Sequence, residues 1–271
     1  MKLSIIIVNY QSYQHLLSCL KSIDKFLYSN KKIKNHFEVI LVNNDKKNLT
    51  IPINYPFIND KIINTGKNVG FGIANNLGTI MANGKYLMFL NPDTILTDNS
   101  LIRSLNYLEK NKNIGALGLS IIDNNRKTPQ NWSCGKKLTW GGILFRNTIN
   151  KPWNKKTPQK VDWTSGTALI VQKSLFKKIK GFDKNFFMYF EDQDLCLRIK
   201  ELPSHPKIIY YPEAQVLHFN GKSWKNKTRQ KKAYQTSQLY FFKKHNTFIG
   251  YLMLKLIYQI KNIFKNFTHH N

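Results

Sequence analysis

The chain has 271 residues, 42% hydrophobic and 13% aromatic, enough for a substantial core and incompatible with global disorder. Its 42 Lys and Arg against 15 Asp and Glu leave a net charge of +27. That charge points either to a polyanionic partner (nucleic acid, anionic lipid or a phosphorylated substrate) or simply to biased use of Lys and Asn.

Leu3–Val8 is an unbroken, largely β-branched run of the kind found in buried parallel strands. His15–Phe26 follows with a helical apolar stripe, Leu16, Leu17, Leu20, Ile23 and Phe26. Phe37–Val42 repeats the strand pattern and stops at Asn43-Asn44-Asp45, and Ile62-Ile63 suggests a short third strand. Val69–Met81 is expected as a helix opened by Asn68 and Gly70, and Tyr86–Leu90 as a buried strand ended by Asn91-Pro92. Ser100–Leu108 is a helix capped by Asp98 or Asn99, and Ile114–Leu119 another strand. This alternation predicts an open, mostly parallel α/β sheet, with ligands bound beyond the carboxyl ends of its strands. GxGxxG is absent, so no dinucleotide fingerprint is present.

Residues 123–160 change character, with Pro129, Pro152, Pro158, Trp132, Trp140 and Trp153 among many basic residues, and suit substrate contact better than core. Val161–Val171 resumes as strand, Ser174–Ile179 is a short helix, and Glu191–Glu201 is a helix whose first turn is acidic. Ile208–Tyr211 and Ala214–Phe219 are expected as the last strands.

The chemistry concentrates at Phe187–Arg198, where Glu191, Asp192 and Asp194 directly follow Phe186-Phe187-Met188-Tyr189-Phe190. Acids at a helix start suit the dipole, but a carboxylate against an apolar wall is also biased toward general-base work. Asp194 and Arg198 stand at i and i+4, in the favourable order for an ion pair. Asp93, after a strand-ending proline, either caps the next segment or ligates a hard cation. The small residues at 68–72 suit phosphate or a polar ring edge, or serve as an ordinary cap. His218 ends the final strand as a ligand or a satisfied surface histidine.

The order of SIIIVNY (4–10), NVGFGIANNLG (68–78), YLMFLNPDT (86–94), DWTSGTALIV (162–171), GFDKNFFMYFEDQDLCLR (181–198) and YPEAQVLH (211–218) resembles a family 2 glycosyltransferase of the GT-A fold, in particular its bacterial rhamnosyltransferase-like branch. The resemblance spans about Leu3 to Phe219. It implies inverting transfer of a sugar, rhamnose or another hexose, from a nucleotide-diphosphate sugar to a hydroxyl of a cell-surface polysaccharide or lipid-linked glycan precursor. Asp192 would be the base, with Glu191 a supporting or acceptor-side acid. Asp93 would hold a divalent ion, Mn²⁺ or Mg²⁺, with His218 completing its shell. Asn9, Tyr10, Asn43, Asn44, Asn68, Gly70, Asn75 and Asn91 would line the donor site, and Trp163 and Gly166 the acceptor site. Asn43 departs from the family, which often carries Asp there in contact with the nucleotide base or ribose; Asn keeps a hydrogen bond but loses the charge.

The expected organisation is a GT-A domain over 1–220, split into a nucleotide-sugar half (1–120) and an acceptor half (121–220), followed by a basic helical extension over 221–271. No Asp or Glu follows Glu213, and Lys222–Lys232 holds six cationic residues in eleven. Phe248–Phe267 mixes apolar residues with Lys255, Lys261 and Lys265. That pattern suits either an anionic bilayer surface or a helix docked on the domain. On the first reading, deletion after about Phe242 moves the protein from the membrane to the soluble fraction.

Cys19, Cys134 and Cys196 form no CxxC, Leu3–Val8 is too short for a signal-peptide core, and no run of eighteen apolar residues exists. These features suggest a cytoplasmic protein, peripheral at most on the inner face of the cell membrane. The rival readings are a nucleic-acid-binding protein, disfavoured by the acidic cluster, a nucleotidyltransferase on a similar sheet, and a catalytically silent relative.

Overall fold

Strands covered on both faces are dominated by apolar side chains, with any buried polar residue hydrogen-bonded. The computed structural model of the chain shows this in β1 (Leu3–Asn9), β2 (Phe37–Asn43) and β4 (Tyr86–Leu90), which are buried throughout. The structure describes residues 2–51, 55, 57–58, 61–97, 99–123, 128–130, 133–139, 156–219 and 227–267. Asp98, Trp132, Trp140, Trp153, Pro152 and the first part of the basic run from Lys222 lie outside the described residues.

The remaining strands are β3 (Ile62–Asn64), β5 (Thr94–Leu96), β6 (Ile114–Asp123), β7 (Cys134–Gly135), β8 (Gln159–Val161), β9 (Trp163–Thr164), β10 (Ala168–Gln172) and β11 (Lys207–His218). The helices are α1 (Tyr13–Ser29), α2 (Phe71–Ile80), α3 (Ser100–Lys110), α4 (Lys173–Lys178), α5 (Glu191–Lys200), α6 (Lys227–His245) and α7 (Phe248–Phe267). Among the described residues the main sheet has nine strands, in the order β3-β2-β1-β4-β10-β6-β11-β5, with β8 also on β11.

The strands β3, β2, β1 and β4 run parallel, as the alternation of strand and helix predicts. The second half is mixed. β10 lies antiparallel between β4 and β6, because its chain enters from the end of the sheet where β4 stops. β11 runs parallel to β6 and antiparallel to β5 and β8. Val161–Val171, expected as one strand, is broken into pieces of β8, β9 and β10. Asp162 marks the first break, its N–H bonded to Gly135 and its carboxylate to the Lys137 N–H and to Lys200. The two strands expected around Pro212 are one, with a register shift between Tyr211 and Gln215 that accommodates a residue without an N–H.

Alternation along β1 divides the core. Ile5 and Ile7 face α1 and α3 through Leu16, Leu20, Ile23, Leu101 and Leu105, whereas Ile6 and Val8 face α2 and α5 through Ala74 and Leu195. A third cluster joins Phe186, Phe190 and Leu197 to Phe241, Phe242 and Leu254, so α6 and α7 pack on the aromatic run ahead of α5. All three cysteines are free and buried, and burial pushes each thiol up to about 12. No helix among the described residues is long and apolar enough to cross a membrane.

Candidate active site

The parallel register sets Asn9 opposite Asn43 where β1 and β2 end. Asn9 Nδ2 donates to Asn43 Oδ1 at 2.9 Å and to Asp45 Oδ2 at 3.1 Å. Asp45 also receives the Gln11 N–H at 3.0 Å. Asn44 Nδ2 donates to Asn68 Oδ1 at 2.9 Å while its Oδ1 accepts the Val69 N–H at 3.1 Å. This amide lattice walls a cavity of about 590 Å³ lined by Asn9, Tyr10, Asn43, Asn44 and Asn68, together with Asp45, Lys46, Lys47 and Lys67.

Asp45 is the residue that sequence reasoning missed. Its signal was present, since a rare acid stands one step beyond the Asn43-Asn44 pair at a strand end. Asn43 is 1% exposed, and its own Nδ2 is bonded to the Lys47 carbonyl at 2.7 Å and Asn64 Oδ1 at 2.9 Å. Asp45 is therefore the carboxylate at this cavity.

Gly70 holds φ +89°, and a Cβ there would collide with the Phe187 carbonyl oxygen. The next amide, Phe71 N–H, donates to that same oxygen at 3.0 Å, tying the start of α2 to the aromatic run. Asn75 lies apart from the cavity, its amide bonded to the Phe71 carbonyl one turn back in its own helix at 3.0 Å.

At the end of β4, the Asn91 N–H donates to the Thr167 carbonyl at 2.9 Å, and Asn91 Nδ2 reaches Thr167 Oγ1 at 3.4 Å. Pairing of β5 with β11 sets His218 opposite Thr94. His218 Nε2 is 3.2 Å from Asp93 Oδ1, and its Nδ1 is 3.1 Å from Gln130 Oε1. Asp93 and His218 thus present an oxygen and an imidazole nitrogen side by side. The described residues contain no group of three or more His, Cys, Asp or Glu that could hold a metal. The pair fits a hard cation that draws its other ligands from substrate phosphate and water.

The carboxylate pair sits where the chain turns sharply into α5. Tyr189 and Phe190, at φ 72° and 67°, are consecutive non-glycine residues in the left-handed region, an arrangement that costs roughly 1–3 kcal/mol each and persists where packing fixes it. Asp192 is anchored by the Gly166 N–H to Oδ2 at 3.0 Å and the Gln193 N–H to Oδ1 at 2.8 Å. Gly166 therefore contacts the Asp192 carboxylate directly. Thr167, its neighbour, bonds Asn91, so the pair lies two short links from the Asp93 strand end. The Trp163 indole N–H donates to the Lys136 carbonyl at 3.0 Å.

Burial raises both acids. Glu191 rises well above the usual carboxylate range, through burial and then the charges of Asp192 and Asp194, and its buried Oε2 has no hydrogen-bond partner among the described residues. Asp192 is restrained by its backbone donors. Glu191 is thus the more strongly raised of the two acids.

Asp194 is fully buried and pairs with Arg198, whose Nη2 lies 2.7 Å from Oδ2, as the i, i+4 spacing predicts. It also takes Lys244 Nζ at 2.6 Å and His245 Nε2 at 2.7 Å, both from α6.

The sheet order and this placement of acids define a GT-A glycosyltransferase fold. Solved structures that share it include Staphylococcus aureus TarS (TM-score 0.59, 18% identity, 82% of this chain and 37% of that one). Another is GalNAc-T7 with UDP, GalNAc and Mn²⁺ (TM-score 0.61, 16% identity, 83% and 44%). The profile of glycosyl transferase family 2 matches residues 4–180, and the chain belongs to that family.

Relatives lie on its rhamnosyltransferase-like side. Rhamnosyltransferase WbbL of Escherichia coli K12 is 28% identical over 213 residues, 73% of this chain and 78% of that protein. N-acetylglucosaminyl-diphospho-decaprenol L-rhamnosyltransferase of Mycobacterium tuberculosis H37Rv is 30% identical over 195 residues, 62% of this chain and 61% of that protein. The chain therefore spans less than two thirds of the mycobacterial enzyme and of TarS.

Proposed function

We propose that this glycosyltransferase is inverting and metal-dependent, and moves rhamnose or another hexose from a nucleoside-diphosphate sugar to a hydroxyl of a cell-surface polysaccharide or its lipid-linked precursor. The observation that carries this reading is the Glu191–Asp192 pair, Glu191 buried and Asp192 half-buried, pinned through Gly166 and Thr167 beside the strand end that bears Asp93.

The nucleoside would enter the amide-lined cavity, where Asp45 and the asparagine side chains offer hydrogen bonds to base and ribose. Lys46, Lys47 and Lys67 add positive charge at its rim. Asp93 and His218 would hold Mn²⁺ or Mg²⁺, an ion that neutralises charge on a departing diphosphate when bound. Asp192, held by two backbone N–H donors that oppose the effect of burial, takes the proton of the acceptor hydroxyl, a role typically worth about 10²–10⁴-fold. Glu191, raised more strongly than Asp192, is the acid of the pair that burial favours in its neutral form.

Support for the donor class comes from the TarS structures with UDP and UDP-GlcNAc. Support for a lipid-linked acceptor comes from the name of the mycobacterial relative. The test is thermal stability with UDP or thymidine diphosphate, with and without Mn²⁺, since a bound ligand raises Tm by mass action. A rise with one nucleotide that is larger with Mn²⁺, and lost in Asp93→Ala, is expected. No rise with either nucleotide at millimolar concentration would remove the reading.

A further inference from the structure

A helix that is apolar all round is ordinarily buried all round. α7 is apolar on two opposite sides and covered on one. Leu254, with Tyr251 and Tyr258, packs inward on Phe241 and Phe242 of α6. Phe248, Ile249, Leu252, Met253, Leu256 and Ile260 recur at helical spacing on the other side and are 43–69% exposed. Lys255 and Lys261 are exposed on the same helix, which has no acidic residue. No helix among the described residues is long and apolar enough to span a bilayer, so a covering for this face would lie along the helix.

We propose that α7 lies in the surface of an anionic bilayer, its outer apolar face among the acyl chains and its lysines at the headgroups. Charge complementarity selects this occupant over a second copy of the chain, because no carboxylate follows Glu213 to meet those lysines across a helix pair. Position adds a consequence, which rests on the glycosyltransferase reading. α7 seats on α6, and α6 on Phe186 and Phe190 beside the Glu191–Asp192 pair. Docking would bring the base close to the surface where a lipid-linked acceptor presents its hydroxyl.

Truncation after Phe242 would not isolate this face, because Lys244 and His245, which hold Asp194, would be lost with it. The test is co-sedimentation of the full chain with phosphatidylglycerol/phosphatidylcholine vesicles against pure phosphatidylcholine vesicles, for wild type and for Leu252→Glu/Leu256→Glu. Both leucines are exposed, so the melting temperature and turnover on a water-soluble acceptor should be unchanged in the variant. The wild type should bind the anionic vesicles, release with salt, and bind about tenfold or more weakly in the double variant.

Equal binding of both proteins, or no wild-type binding, overturns the proposal. So does a lipid-free wild-type dimer that the double variant dissolves, which would assign the face to a second copy. Vesicle binding without any nucleotide-dependent rise in Tm would instead uphold the surface and remove the proposed donor chemistry.

Discussion

Replacing Asp194 with Asn separates the anchoring of the catalytic helix from its chemistry. Burial by itself would raise this carboxyl, but the His245 hydrogen bond, the Arg198 charge and Lys244 outweigh it and hold the pKa at about 2, down from 3.8. At about 1.4 kcal/mol per pH unit, that depression corresponds to about 2 kcal/mol of stability. A carboxylate held low supports the fold fully above its unfolded pKa and loses that support as pH falls through its folded one. The window therefore runs from about pH 4 to about pH 2.

Asp194→Asn removes this support at neutral pH and leaves Arg198, Lys244 and His245 without their shared anion. Removing one partner of a buried pair costs about 3–5 kcal/mol. Lys244 keeps Asp183 at 2.7 Å, which favours the lower end of that range. At about 2–4 °C per kcal/mol for a chain of this size, Tm should fall by roughly 6–20 °C at pH 7. Circular-dichroism melts from pH 7 to about pH 2.5 check this, with the gap between variant and wild type narrowing below about pH 4. A gap of less than about 2 °C at pH 7, or one that persists undiminished to low pH, would refute the reasoning.

Two further substitutions probe the neighbouring geometry. Glu191→Gln should raise Tm at pH 8 and leave it unchanged at pH 4, because an acid held above its ordinary 4.5 loses folded-state stability as pH rises past that value; a lower Tm at pH 8 would show that Glu191 is not held neutral. Gly70→Ala should cost more than Gly66→Ala in paired melts. Both sites have positive φ, but only Gly70 lies against the Phe187 carbonyl, while Gly66 faces open space with no atom within 4 Å. Equal losses at the two sites would mean that the contact with Phe187 is unimportant.

What was legible in the chain was local. β1, β2 and β4 are dominated by apolar residues on both faces, a pattern that needs a strand covered on both sides. The Asp194–Arg198 pair followed from helical spacing alone. Strand order did not follow, because antiparallel insertion of β10 depends on where the chain re-enters the sheet. The partners of the candidate site are equally distant in sequence. Gly166 anchors Asp192 across 26 residues, and His245 meets Asp194 across 51. Asn75 shows the converse limit, since an asparagine at a helix start suits a ligand or its own backbone equally well, and here its amide is bonded to Phe71. The aromatic run ahead of Glu191 packs under α6 through Phe186 and Phe190, and that covering depends on contacts that no periodicity displays.

The central claim is that Asp192 is the base. The direct measurement is single-turnover transfer by Asp192→Asn, with nucleotide affinity measured by calorimetry on the same preparation. The account predicts a fall of about 10²–10⁴-fold in the transfer rate with nucleotide affinity within about twofold of wild type. Transfer within about threefold of wild type would contradict it.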